Sequence, residues 1–110
     1  MKIDFSTIEE QRVPSFKGGE KWIDTRMFND DRNRIMKARL VPGASIGLHK
    51  HEGSSEIILI LSGRGYALYD GSRIELGPGD VHYCPVGHSH CLVNEGPEDL
   101  EFFAVVPQQQ

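Results

Sequence analysis

Two histidines and a glutamate stand close together near the middle of the chain. His49 and His51 flank Lys50, and Glu56 follows the short polar loop Glu52-Gly53-Ser54-Ser55. On extended backbone the side chains alternate, so His49 and His51 point to the same face. Glu56 opens the apolar run Ile57–Leu61. If that run lies beside the His-Lys-His strand, its carboxylate reaches the point at which both imidazoles aim. His90, further on, is a fourth candidate. Neutral imidazoles with a carboxylate suit Fe, Mn, Ni, Cu or Zn. The imidazoles must be neutral to bind, so affinity should fall as the pH drops below about 6.5.

The elements that must position these groups read as strands. Residues 22–28, 34–41, 48–51, 57–61, 66–69, 73–76, 81–84, 91–94 and 100–106 are short β-rich stretches separated by Gly, Pro and Asn/Asp turns. Asp70-Gly71 is a hairpin turn, and Gly77-Pro78-Gly79-Asp80 fits a type II turn. No helix of useful length is expected. Many short strands with Gly/Pro turns predict an all-β sandwich or barrel. Ile57–Leu61 is apolar at every position, which predicts cover on both faces, the outer one from a partner subunit. The strand from Trp22 to Phe28 could pair across subunits.

The chain has 110 residues, enough for one domain: an N-terminal arm (1–20), a single barrel (21–107) and a frayed tail (108–110). Within the arm, Ser6–Glu9 could cap one helical turn. A formal net charge of -4 offers no basic surface for nucleic acid or an anionic membrane. No apolar stretch is long enough for a membrane helix, and the polar N-terminus does not read as a signal peptide. Cys84 and Cys91 do not form a Cys-x-x-Cys pair and read as buried free thiols, so the cytoplasm is the expected location.

Gly43, His49, His51, Glu56 and Gly63, in that spacing, resemble the first sequence motif of the cupins. Gly79, Pro85, Gly87, His90 and Asn94 resemble the second. Both lie in the expected order with a short stretch between them. The resemblance implies a small jelly-roll β-barrel, usually dimeric, with one divalent metal (Fe, Mn, Ni or Zn) held by His49, His51, Glu56 and His90. It implies a structural role for Asn94.

Four protein ligands leave up to two positions open on an octahedral ion. Such an ion binds and polarises a small oxygen-bearing molecule. The expectation is a metal-dependent enzyme acting on a small polar substrate, and the resemblance to the cupins implies dioxygenase, sugar or sugar-acid isomerase, lyase or decarboxylase type. The alternative is a non-catalytic module that binds or senses a small molecule or a metal. The two differ by an acid or base within reach of the metal, and no sequence motif supplies one. His82, Tyr66, Arg39 and Glu101 are the candidates. His88 is expected at the rim. Lys37 and Arg39 share a strand face, expected to be the solvated outer one. Gly63-Arg64-Gly65 joins strand to strand and is no nucleotide loop.

Overall fold

Strand patterning carries through to ten strands in two sheets in the computed structural model, which describes residues 1–108. They are β1 (Gln11–Pro14), β2 (Trp22–Asn29), β3 (Asn33–Leu40), β4 (Ser45–Lys50), β5 (Glu56–Ser62), β6 (Gly65–Tyr69), β7 (Ser72–Leu76), β8 (Val81–Cys84), β9 (Ser89–Val93) and β10 (Leu100–Pro107). One sheet has the order β1-β2-β3-β10-β5-β8, the other β4-β9-β6-β7. All the pairings are antiparallel.

Alternation decides which side chains meet between the sheets. Ile23, Met36, Ala38, Leu40, Ile58, Ile60, Leu100, Phe102 and Ala104 come from the six-stranded sheet; Ile46, Ala67, Leu76 and Leu92 come from the other. Each large side chain buried this way contributes about 1.5–3 kcal/mol over leaving it in water. Asn94 is fully buried and ties the connections together. Its amide donates to the carbonyls of Leu40 and Glu98 (2.8 Å each), and its side-chain oxygen accepts from Gly96 N. The expected turn at Asp70-Gly71 joins β6 to β7, with both residues at positive φ.

Several expectations need correction. The arm, in which no strand is expected, contributes one: β1 pairs with β2, bringing Arg12 opposite Asp24. Its helical turn is a 3-10 turn at Phe5–Thr7, capped by Asp4 and not by Ser6. β1 covers only the Trp22–Thr25 half of the outer edge of β2, and among the described residues Arg26–Asn29 have a strand partner on the β3 side alone. Gln108 does not fray, since its N–H donates to the Arg32 carbonyl (2.7 Å). The other two residues of the expected tail, Gln109 and Gln110, lie outside the described residues.

The apolar run of β5 alternates in space. Ile58 and Ile60 are in the core, whereas Ile57 and Leu61 are 40% and 43% exposed on the outer face. Register extends that face into one apolar row across five strands: Phe28, Ile35, Val105, Ile57 and Tyr83. Among the described residues, no helix is long and apolar enough to cross a membrane.

Candidate metal centre

The two sheets deliver the four groups from opposite sides. β4 carries His49 and pairs with β9 so that His49 stands directly opposite His90. His51 follows the end of β4, where its backbone N–H donates to the His88 carbonyl (3.0 Å). Glu56 opens β5 on the six-stranded sheet and faces inward. One ligand atom from each of the four lies within 4.8 Å of the others. His51, Glu56 and His90 are buried and His49 is half-buried.

The spacing of donor atoms is that of a cation site. The Nε2 atoms of His49 and His51 are 3.2 Å apart, those of His51 and His90 2.9 Å, and those of His90 and His49 3.2 Å. Glu56 Oε1 is 2.9 Å from His90, 3.2 Å from His51 and 4.0 Å from His49. At a metal–ligand distance of about 2.1 Å, neighbouring ligands of an octahedron lie about 3.0 Å apart and opposite ones about 4.2 Å. The three imidazoles fit one face of such an octahedron. Glu56 fits the corner nearly opposite His49.

Protonation leads to the same conclusion. His49 Nδ1 donates to the Gly47 carbonyl (2.7 Å), so in the neutral ring Nε2 is a bare lone pair. The space the four groups share is too small for a proton on each ring nitrogen. The outer nitrogens of the other two rings also have partners: Ser54 Oγ lies 3.1 Å from His51 Nδ1, and His82 Nε2 lies 3.0 Å from His90 Nδ1. All three rings can thus carry hydrogen on Nδ1 and turn Nε2 inward, which is how partners outside a metal's ligands fix the imidazole tautomer. Burial pushes the Glu56 carboxyl up, but hydrogen bonds and charge from His51 and His90 outweigh it and hold the group at about 2. Burial lowers the His49 imidazole below its ordinary value. The Glu56 shift keeps the carboxylate ionised while the His51 and His90 rings hold protons that a metal would displace, and the His49 shift favours the neutral ring that binds a metal.

The family model described as the cupin domain matches residues 36–106, which contain all four groups. The chain belongs to the cupin family. An oxalate-binding protein of Thermotoga maritima is 37% identical over 112 residues, covering 96% of this cupin and 93% of the relative. A solved structure from the same organism, described as a predicted oxalate decarboxylase, superposes with a TM-score of 0.92 at 34% identity, covering 98% and 99% of the two chains. The cupin domain of Schizosaccharomyces pombe Cnp3 shares the fold, with a TM-score of 0.80 at 12% identity over 99% of this chain and 74% of that one.

The remaining candidates sit at different distances from the centre of this cupin. His82 is 4% exposed and reaches the cluster only through His90. Burial, and then the charge of His90, push its imidazole down to about 4, so at neutral pH it is an uncharged acceptor. Tyr66, Arg39 and Glu101 are not brought to the cluster. Tyr66 lies under the Arg73 guanidinium, 3.8 Å from ring centre to carbon. Arg39 pairs with Glu10 and Asp24 on the outer face of the six-stranded sheet. Glu101, on that same face, accepts a hydrogen bond from Ser62 Oγ (2.7 Å). His88 stands at the rim as expected, 2.5 Å from Asp70. Cys84 and Cys91 are free and buried, and burial pushes the Cys84 thiol up to about 11.

A cavity of about 350 Å³ opens over His49, His51 and Glu56. Phe16, Lys17 and Arg34 form part of its wall, and sequence reasoning missed all three. Arg34 was legible in part, because it shares the strand parity of the core residues Met36 and Ala38. Nothing in the sequence places Lys17.

Proposed function

We propose that this cupin holds one divalent transition metal on His49, His51, Glu56 and His90, and uses it to bind a small dicarboxylate of the oxalate type. The observation that carries this reading is the convergence of three Nε2 atoms and one carboxylate oxygen at octahedral spacing, with a partner for every Nδ1. Four protein ligands leave two neighbouring positions on such an ion, which matches two oxygens of one chelating anion. When bound, a divalent ion supplies positive charge and Lewis-acid polarisation of those oxygens. The relative's description as an oxalate-binding protein supports the choice of anion.

The chain's own residues favour binding over turnover. Splitting oxalate into carbon dioxide and formate breaks the carbon–carbon bond and consumes a proton at carbon. Besides Glu56, the cavity wall has one carboxyl, Glu52, whose side chain is 79% exposed. His82 lies behind His90. Decarboxylation is the second reading, favoured by the description of the similar Thermotoga structure.

Titrating oxalate into manganese-loaded protein tests the first reading. Saturable binding that disappears in Glu56→Gln supports it, and absence of binding to the loaded protein overturns it. Formation of formate and carbon dioxide from oxalate selects the second. We place the protein in the cytoplasm as a homodimer. Its two free thiols support the compartment, and the exposed apolar row through Ile57 and Tyr83 supports the dimer.

A further inference from the structure

The cavity has room for a ligand larger than oxalate. At about 30 Å³ per water, about 350 Å³ holds on the order of ten water molecules, far more room than two directly joined carboxylates fill. The charges on its wall are not balanced. Lys50 lies 4.0 Å from Glu52, and Glu56 belongs to the metal centre. That leaves Lys17 and Arg34, neither of which has a carboxylate partner among the described residues. Arg34 is half-buried, and its Nε donates to Asn29 Oδ1 (3.3 Å), which leaves its two terminal nitrogens for a ligand.

The Lys17 backbone is held where it stands at a cost; its side chain is exposed, with Nζ 5.7 Å from the centre of the Phe16 ring on the same wall. That backbone is left-handed (φ 55°, ψ 28°), a region a long side chain enters at about 1 kcal/mol or more. Ser15 and Lys21, at the two ends of the same loop, are left-handed too. The loop is pressed against β4 with no side chain between. A Cβ at Gly47 would lie 2.1 Å from the Lys17 carbonyl oxygen, and one at Gly19 would lie 2.0 Å from the Ser45 carbonyl oxygen. Hydrogen bonds from Ser45 N to Glu20 O (3.0 Å) and from Glu20 N to Ser45 Oγ (2.8 Å) lock it there. The strand that presents His49 thus also fixes the Lys17 backbone at the mouth of the same cavity.

We infer that Lys17 and Arg34 form an anion subsite beside the metal centre. The ligand that fills the cavity would then have a metal-chelating carboxylate end and a second anionic group, carboxylate or phosphate, at its far end. This rests on the metal-dependent reading above and adds a substrate class to it.

The test compares ligand pairs that differ only in the far anion, by titration into manganese-loaded protein: malate against lactate, and far-end phosphoglycerate against glycerate. Oxalate is the control for the reading itself. The expected result is that at least one anionic member binds about tenfold tighter than its partner, the size of one good ion pair. In Lys17→Gln/Arg34→Gln at equal manganese loading that ratio falls to near one. Preference within the malate pair alone identifies carboxylate as the far group, and preference within the phosphoglycerate pair alone identifies phosphate. Ratios near one in the wild-type protein while oxalate binds overturn the subsite and leave the oxalate reading standing. A ratio that survives in the double variant overturns the assignment to Lys17 and Arg34. Failure of oxalate itself to bind overturns both readings.

Discussion

His82 Nε2 lies 3.0 Å from His90 Nδ1, and this contact crosses from the six-stranded sheet to the four-stranded one. Both residues are almost wholly buried. With its pKa near 4, His82 is uncharged at neutral pH and can accept a hydrogen bond from His90 Nδ1–H, which would turn the other His90 nitrogen toward the candidate metal centre. Replacing the acceptor should loosen the ligand without touching it. His82→Leu is expected to weaken metal binding about tenfold to a hundredfold, the usual effect of removing such a partner. His82→Gln, whose amide oxygen can still accept, should recover part of it. Competition with a chromophoric chelator measures both. Equal affinity in all three proteins would show that His82 only packs.

Metal bound to the native state alone stabilises it by mass action. At about a hundred times the dissociation constant the gain is about 2.7 kcal/mol. The melting temperature of the wild-type protein should therefore rise on adding Mn(II), Fe(II), Ni(II) or Zn(II). In His49→Ala and Glu56→Gln that rise should be lost or reduced to a small fraction. A full rise in either variant would place the metal elsewhere.

Gly47 serves the site twice. Its carbonyl fixes the His49 ring, and its missing side chain admits the loop that carries Lys17. A Cβ there would also meet Gly19 N at 2.7 Å, so the clash is with main chain on both counts. Gly47→Ala should cost about 1–3 kcal/mol by overpacking and should weaken metal binding as well. Thermal melts and the chelator competition report the two effects. An unchanged melt would mean the loop moves freely off β4.

On the outer face, Asp24 is 2% exposed and accepts from Arg12 Nε at 2.9 Å. That hydrogen bond, outweighing the effect of burial and helped by the charges of Arg12 and Arg39, holds the carboxyl below its ordinary value. A depressed carboxyl contributes stability that is present above the unfolded-state value, about 3.9, and lost as the pH falls through the folded-state value. Asp24→Asn should therefore cost about 1–2 kcal/mol at neutral pH, with the difference from wild type narrowing below about pH 4. Urea unfolding at the two pH values measures it. A constant difference would mean the loss is one of packing.

The outer faces of β5 and β8 expose Ile57, Leu61, Val81 and Tyr83, and register continues the row through Val105, Ile35 and Phe28. A second copy of the chain would cover it. Sedimentation of the wild-type protein should give a dimer, and Ile57→Glu/Tyr83→Glu should give a folded monomer. A monomeric wild type would remove the dimer.

Residue type and spacing made His49, His51, Glu56 and His90 candidates, and the resemblance of the two motifs to the cupins joined them into one ligand set. The expected pairing of the Glu56 strand beside the His-Lys-His strand does not occur, because β5 and β4 lie in different sheets. Strand positions were legible because alternation and Gly/Pro turns are local signals. What the sequence left hidden depends on contacts between distant segments. The inward or outward parity of His82 and Cys84 on a four-residue strand is settled only by pairing with β5. Gln11–Pro14 carries no strand pattern and becomes a strand because β2 offers an edge. The apolar run at Ile57–Leu61 correctly signalled apolar character on both faces, but within one chain only the inner face is covered. Tyr66, Arg39 and Glu101 were named as chemistry-bearing types, and tertiary packing gave each a partner away from the cluster.

Elemental analysis of the purified, tag-free protein, beside His51→Ala purified identically, tests the central claim most directly. The arrangement of His49, His51, Glu56 and His90 predicts close to one transition-metal atom per chain in the wild-type protein and little in the variant. Equal metal in the two, or none in the wild type even after incubation with Mn(II), Fe(II), Ni(II) and Zn(II), would contradict it.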